Sequence, residues 1–445
     1  MKYSSIAIIL ILSACTACKK VVGIDPPPNQ LTPDKVFKDS SSVVAATANM
    51  YTLLGTVDAN FLRNAGTYTD ELVTTTSTGT ATEFSNGSLT VTNSSVLSVW
   101  QNLYATIYKA NAAIDGLKSS TGISSTLKDQ CLGEAKFVRA YCFYLLVNIY
   151  GDVPLVTTTN VTVNTKMAKS PVNTVIAQVI ADLNDSAGLM ADSYPFSGEK
   201  VEANKWAGAA LLAKAYLYVK DFPNAELQAS SVINSGTYTL LDDLNGVFAV
   251  NNDEAILQLW NATGATSLCL VPTSGVPAYQ VSPQLLAAFE PGDLRETAWV
   301  NSTAVSGTIY YYPYKYKQRS PAAGPLAEYS MYLRLAEIYL VRAEARAQQG
   351  DLTGAAADLN MIRNRAGLSN TTAATQADLL AAIMHERQVE LFYEGGNRFF
   401  DLKRSGTINA VIQPLKPFWK PTAQLFPIPQ AEVLSDPNLV QNPGY

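Results

Sequence analysis

The chain is predicted to be mainly α-helical, a scaffold of tetratricopeptide-like helical hairpins with an irregular, loop-rich half and a few short strands. Three observations lead there. First, two apolar stripes recur at helical spacing: Tyr332, Leu335, Ala336, Tyr339, Leu340 and Ala343 precede Gly350-Asp351, and Ala355, Leu359, Ile362 and Ala366 follow it. Gly367 then stands where a helix needs a left-handed cap. Second, the same pattern lies 130 positions earlier. Trp206, Ala209, Ala210, Ala213 and Leu217 form one stripe, Lys220-Asp221-Phe222-Pro223 the turn, and Ala225, Ala229, Val232 and Ile233 the return. Such a hairpin cannot bury its face alone, so repeats must stack. Third, residues 240–330 lose this period. Ala255 to Trp260 alternates like a strand, and Gly, Pro, Ser and Tyr dominate the rest.

The elements follow in order. Lys2 and the seven-residue apolar run Ile6–Leu12 read as an export signal, far short of the roughly 20 residues that span a bilayer. Leu12-Ser13-Ala14-Cys15 has the shape of a bacterial lipobox, which makes Cys15 the lipid anchor. Cys18 is the alternative, and a plain secretory signal a third reading. Residues 1–18 are thus signal and anchor, and 19–31, with Pro26-Pro27-Pro28, a tether. Residues 32–239 form an N-terminal helical region, 240–330 the irregular region, and 331–445 a C-terminal region with the first hairpin described.

Within the N-terminal region Val43 to Leu54 is apolar and helical. Residues 74–95, rich in Thr, Ser, Gly and Asn, are expected to form a long surface loop. Val99 to Leu117 is helical, with Trp100, Leu103, Ile107, Ala110 and Ile114 inward. In Glu134–Tyr150 the inward set is Phe137, Tyr141, Tyr144 and Leu145, and Gly151 and Pro154 stop the helix. Pro171 to Leu189 is a further helix, with Ser170 as N-cap. Trp100 and Trp206 are both read as core.

Composition narrows the function. The net charge is −5, the pI about 5.2, and no basic run occurs, which argues against nucleic acid. Only 16% of residues are charged, a surface suited to neutral polar ligands or to none. Cys131 and Cys142 fall in or beside one helix, about 16 Å apart, too far for a disulfide, and are expected to be buried thiols; Cys269 is the other cysteine after the signal. His385 is the one histidine; Val389 stands where a zinc-protease helix needs a second. There is no Gly-x-Ser-x-Gly elbow and no phosphate loop, so no enzyme is expected. Pairing of two glycosidase carboxylates is spatial and leaves no motif. No metal site or cofactor is indicated; calcium on loop Asp and carbonyl oxygens stays open.

Several segments together resemble one family. They are Cys18-Lys19-Lys20 with Asp25-Pro26-Pro27 and Leu31-Thr32-Pro33; Trp100-Gln101-Asn102-Leu103-Tyr104 through Ala110-Asn111; and Gly133-Glu134-Ala135-Lys136-Phe137-Val138-Arg139-Ala140-Tyr141 with Tyr150-Gly151-Asp152-Val153-Pro154. Glu386-Arg387-Gln388-Val389-Glu390-Leu391, Glu394 and Arg398-Phe399-Phe400-Asp401-Leu402-Lys403-Arg404 form the strongest piece. Leu425-Phe426-Pro427-Ile428-Pro429-Gln430 and Asn442-Pro443-Gly444-Tyr445 complete it. In this order they resemble the SusD/RagB family of Bacteroidetes outer-membrane lipoproteins. The resemblance implies a lipid-anchored protein on the cell surface that binds oligosaccharide and sits on a SusC-like TonB-dependent outer-membrane barrel. The alternative is a structural lid of that barrel with peptide or other non-glycan cargo.

Residues 74–95 and 262–330 depart most from the family, so no binding residue carries over. Aromatic rings stack on the C–H faces of sugars. The loop aromatics are Phe84, Tyr279, Trp299, Tyr310, Tyr311, Tyr312 and Tyr314, and the candidates taken from them are Phe84, Tyr279, Trp299, Tyr310, Tyr312 and Tyr314. In an extended Tyr310-Tyr311-Tyr312 alternate rings point opposite ways, one set inward and one outward. Glu386, Arg387, Glu390, Glu394, Arg398, Asp401 and Arg404 are read as a structural charge network, paired across neighbouring turns and the Gly395-Gly396 break.

Overall fold

The structure, a computed structural model, describes residues 36–75, 79–321 and 327–445. The export signal, Cys15, Cys18 and the tether lie outside the described residues. The chain runs α1 (Ser40–Tyr68), β1 (Leu72–Thr74), α2 (Thr80–Asn86), α3 (Ser94–Ser119), α4 (Ser125–Tyr150), α5 (Val161–Asn164), α6 (Val172–Leu189), α7 (Lys205–Tyr218) and α8 (Phe222–Asn234). The middle holds β2 (Ala255–Leu259), β3 (Tyr279–Val281), α9 (Pro283–Leu286), α10 (Leu294–Trp299), β4 (Val300–Val305), β5 (Thr308–Pro313) and β6 (Ser330–Arg334). Then come α11 (Leu335–Gln349), α12 (Leu352–Arg365), α13 (Gln376–Glu390), α14 (Asn397–Arg404), α15 (Ile408–Ile412) and α16 (Gln430–Ser435). It is a mainly helical architecture. The strands form three two-stranded antiparallel sheets, β1–β3, β2–β6 and β4–β5.

Long helices pack in one series: α1 on α3, α3 on α4, α4 on α6, α6 on α7, α7 on α8, α8 on α11, and α11 on α12 and α13. Each contact lies beside the last, as in a helical-repeat stack. The offset of 130 positions is structural: α7 begins at 205 and α11 at 335, α8 at 222 and α12 at 352. Asp221 and Asp351 cap the return helices, accepting the N–H of Asn224 and Gly354. Gly350 takes φ +86° in the turn, and Lys220 takes φ +62° at the matching position. Its Cβ makes that conformation unfavourable by about 1–2 kcal/mol.

The stripe of α3 is buried as its spacing predicts, Trp100, Leu103, Ile107, Ala110 and Ile114 included. Six expectations change. Tyr332 lies in β6 and not on the stripe of α11. Helix α4 is buried all round from Phe137 to Tyr150 rather than along one stripe, because α1, α3, α6 and α7 surround it. Ser170 does not cap α6; the first N–H, of Val172, goes to the Asp152 carboxylate at 2.9 Å, and Pro171 is the cap residue. Trp206 is only partly buried, with the Lys205 ammonium 5.0 Å from its ring centre. The stretch 74–95 is not one long loop, since α2 forms within it and Phe84 enters the core beside Tyr68 and Phe426. Strand β2 is buried at all five residues instead of alternating, because its two faces meet α1 and α7 while β6 pairs along its edge.

Cys131 and Cys142 are buried free thiols and Cys269 a half-buried one. Burial pushes the Cys131 thiol up to about 12, which keeps it an unreactive packing group. No helix among the described residues is long and apolar enough to cross a membrane.

Turn geometry generates a paired prediction. Lys220→Gly removes the strained Cβ and is expected to raise stability by up to about 1 kcal/mol. Gly350→Ala is expected to lower it by about the same amount through backbone strain alone, since nothing lies within 4 Å of an added Cβ. Urea unfolding midpoints of the two variants read both signs.

Candidate ligand-binding face

Three short elements build the face on which loop aromatics meet. β1 pairs with β3, placing Tyr279 opposite Thr74, and β3 packs on β5. β4 and β5 form a hairpin whose two-residue turn, Ser306-Gly307, has φ of +50° and +81°. Positive φ at both positions matches the twist of the strands, so the turn fixes the register. Tyr311 pairs with Ser302, Ile309 with Ala304, and all four lie exposed on one side. Tyr310 and Tyr312 lie on the other side, opposite Thr303 and Asn301.

The candidates divide. Tyr279, Tyr310 and Tyr314 are half-buried, and the most exposed ring of this face is Tyr311, at 41%, which is not one of the candidates. The ring of Tyr314 stands 6.2 Å from that of Tyr312 and carries the Lys317 ammonium at 5.1 Å. Tyr312, Phe84 and Trp299 are corrections, because all three are buried and present no ring face to a ligand. Tyr312 turns inward by strand alternation. Trp299 ends α10, donates its indole N–H to the Leu244 carbonyl at 2.9 Å, and packs on Phe248 and Phe392. Aromatic density in a Ser/Thr/Gly-rich stretch did not reveal that Trp299 is helical.

A buried charge network holds this face to the helices. Glu390 of α13 receives three guanidiniums: Arg295 at 2.9 Å, Arg334 at 2.5 Å, and Arg365. Glu254, before β2, binds Arg334 at 2.9 Å and Arg365 at 2.7 Å. Glu394 binds Arg334 at 2.7 Å and Lys315, which follows Tyr314, at 2.5 Å. Glu386 binds Arg295 at 2.6 Å and Arg363 at 3.3 Å. Burial alone drives the Glu390 carboxyl upward, but Arg365, Arg334 and Arg295 override it and hold the group well below the usual carboxylate range. Burial pulls Lys315 down to about 8 despite Glu394.

The remaining charged candidates pair elsewhere. Arg387 reaches Asp401 at 2.7 Å, and Arg404 bridges Asp401 at 2.8 Å and Glu344. Arg398 grips Asp70 of the α1–β1 connection through two bonds of 2.8 and 2.6 Å. Local pairing therefore holds only for Arg387, Asp401 and Arg404. Glu386, Glu390, Glu394 and Arg398 find partners far away in sequence. Gly395 and Gly396 both take positive φ, +55° and +71°, to turn the chain between the two sets. His385 is exposed, its Nε2 4.0 Å from Glu290. Among the described residues no group of three or more His, Cys, Asp or Glu is placed to hold a metal ion.

Two family models match the sequence: one described as the SusD family over residues 294–445, and one described as starch-binding associating with outer membrane over residues 27–217. The chain belongs to the SusD/RagB family. SusD-like protein P25 of Formosa agariphila is 24% identical and SusD-like protein P2 of the same organism 25%, each covering 100% of both chains. Among solved structures, a SusD superfamily protein from Bacteroides vulgatus superposes with a TM-score of 0.81 at 22% identity, covering 92% of this chain and all of that one. A laminarin binding SusD-like protein superposes with a TM-score of 0.78 at 26% identity, over 92% of this chain and 100% of its own. In this SusD-family protein the strongest sequence motif, 386–404, supplies buried ion pairs that join the helices to the irregular half.

That assignment sets a contrast in stability. Arg334→Met leaves Glu254, Glu390 and Glu394 short of a buried partner and is expected to cost about 3–5 kcal/mol. Removing the more exposed Arg346–Glu226 pair by Glu226→Gln is expected to cost under about 1 kcal/mol. Guanidinium denaturation of the two variants measures both.

Proposed function

We propose that this protein is a cell-surface nutrient-binding lipoprotein that captures oligosaccharide and delivers it to a SusC-like TonB-dependent transporter in the outer membrane. One observation carries the carbohydrate reading: the β4–β5 hairpin and β3 present Tyr311, with Tyr279, Tyr310 and Tyr314, beside exposed hydroxyl and amide side chains. The fold that presents them is shared with a laminarin-binding relative. Rings of this kind stack on pyranose faces; Ser302 lies beside Tyr311 on one side of the hairpin, and Thr303 lies beside Tyr310 on the other, to read hydroxyls. The description of the N-terminal family model supports outer-membrane association. In this reading the protein binds and does not turn substrate over. The lipid sits on Cys15, with Cys18 as the alternative.

Two measurements test it. On a panel of laminarin, starch and other neutral polysaccharides, the protein is expected to bind at least one. Tyr311→Ala is expected to weaken that binding about tenfold with circular dichroism unchanged. Absence of binding to every glycan, with tight binding of peptide, overturns the carbohydrate reading. Mass spectrometry of the mature N-terminus is expected to show an acylated cysteine; a free α-amino group overturns the anchor.

A further inference from the structure

Trp260 differs from every other tryptophan of the chain. It is 60% exposed, whereas Trp100, Trp299 and Trp419 are 6% exposed or less and Trp206 is partly buried. It follows directly on β2, whose five residues are all buried, so the strand fixes where the indole leaves the core. An indole left in water forgoes a hydrophobic gain on the order of 2 kcal/mol.

Beside the ring opens a cavity of about 370 Å³ between the N-terminal half of α1 and the 196–202 loop. Its walls are Val44, Ala48 and Phe196, and the hydroxyls of Thr47, Thr52 and Ser197 stand among them. Two acids complete the lining. Glu134 accepts the Tyr51 hydroxyl at 2.9 Å and the Gln130 amide at 2.9 Å. Glu202 is held by the N–H groups of Phe196 and Ser197 at 3.0 and 3.2 Å. Burial, with Glu202 nearby, pushes the Glu134 carboxyl up to about 8, which favours its neutral form. Among the described residues no lysine, arginine or histidine lines the cavity.

We propose that the cavity beside Trp260 is a second saccharide subsite, one that takes a neutral pyranose unit. The indole offers a flat face for the C–H side of a sugar ring, and the hydroxyl and carboxyl groups exchange hydrogen bonds with its rim. An anionic sugar finds no cation there and meets Glu202 instead. This subsite rests on the carbohydrate reading, yet it is separate from the hairpin face. The cavity touches α1 around Ala48, while β1 follows the other end of that helix at Tyr68, about 30 Å along its axis.

The experiment uses the mature chain with laminarin and starch as neutral probes and alginate as a uronate probe. The neutral polysaccharide that binds is expected to shift tryptophan emission to the blue and shield it from acrylamide, since Trp260 is the exposed indole. Trp260→Ala is expected to lose that change and at least tenfold in affinity. Tyr311→Ala is expected to keep the change, and alginate to produce none. Unaltered neutral-glycan affinity in Trp260→Ala, with affinity lost in Tyr311→Ala, overturns the subsite and leaves the carbohydrate reading standing. The subsite is equally overturned if Trp260→Ala binds glycan normally but weakens association with the transporter, or if alginate binds at Trp260. No binding of any neutral polysaccharide by the wild-type protein overturns both.

Discussion

Glu390 and the three guanidiniums around it are the constraint on which the irregular half depends. A carboxylate taken out of water is strongly destabilised, and so is each guanidinium. Here Arg295, Arg334 and Arg365 surround one buried acid, with Glu254, Glu386 and Glu394 completing their other bonds. A protonated Glu390 leaves three buried cations short of charge; a displaced arginine leaves acids short of partners. The cluster is stable only when complete. Its members come from the β2 approach, α10, the end of β6, the end of α12, and α13, so completing it docks all of these in one arrangement.

This frame explains how loops of irregular sequence hold a defined face. Lys315 lies one residue beyond Tyr314 and is fixed to Glu394 and to the Glu390 carbonyl, the latter at 2.8 Å. Trp299 lies one residue before β4, and the Lys315 ammonium stands 4.5 Å from its ring centre. Both ends of the β4–β5 hairpin are thereby anchored in the core, while Ser302, Ala304, Ile309 and Tyr311 on its outer side face solvent. The network also changes what composition means. Charged residues make up 16% of the chain, and many of the arginines and glutamates among them are interior. The surface is correspondingly poorer in charge than the sequence suggests, which suits recognition of neutral polar molecules through rings, hydroxyls and amides.

Helical elements were legible because their signals are local. The stripes at 209–217 and 335–343, the Asp caps and the turns repeat the same stereochemistry, so an offset of 130 positions was readable without coordinates. Phe84 and Trp299 were not, because what buries them is remote: Phe426 for one, Phe392 for the other. Glu390 shows the same limit, since its partners stand 95, 56 and 25 positions away and no helical spacing names them. Alternation in Tyr310-Tyr311-Tyr312 was visible, but which ring faces out depends on where the Ser306-Gly307 turn sets the register. Trp260 closes a strand pattern, and its place in that pattern hides it. A strand buried on both faces nevertheless makes the exposed residue at its end the informative one.

The long helix α1 relates the two candidate regions. Its 29 residues form one uninterrupted element from the Asp39 cap to Tyr68, packed against α3. A single packed helix is stiff, so ring faces near its two ends keep a fixed separation. Shallow sites of one or two rings bind a monosaccharide weakly, because little area is buried and the loss of translational freedom is the same for small and large ligands. A polymer that reaches both sites loses that freedom once, and its second contact forms at high effective concentration. Fixed spacing on a rigid helix therefore favours extended chains over their fragments, which is the discrimination a protein needs if it is to hold long glycans at a surface before uptake.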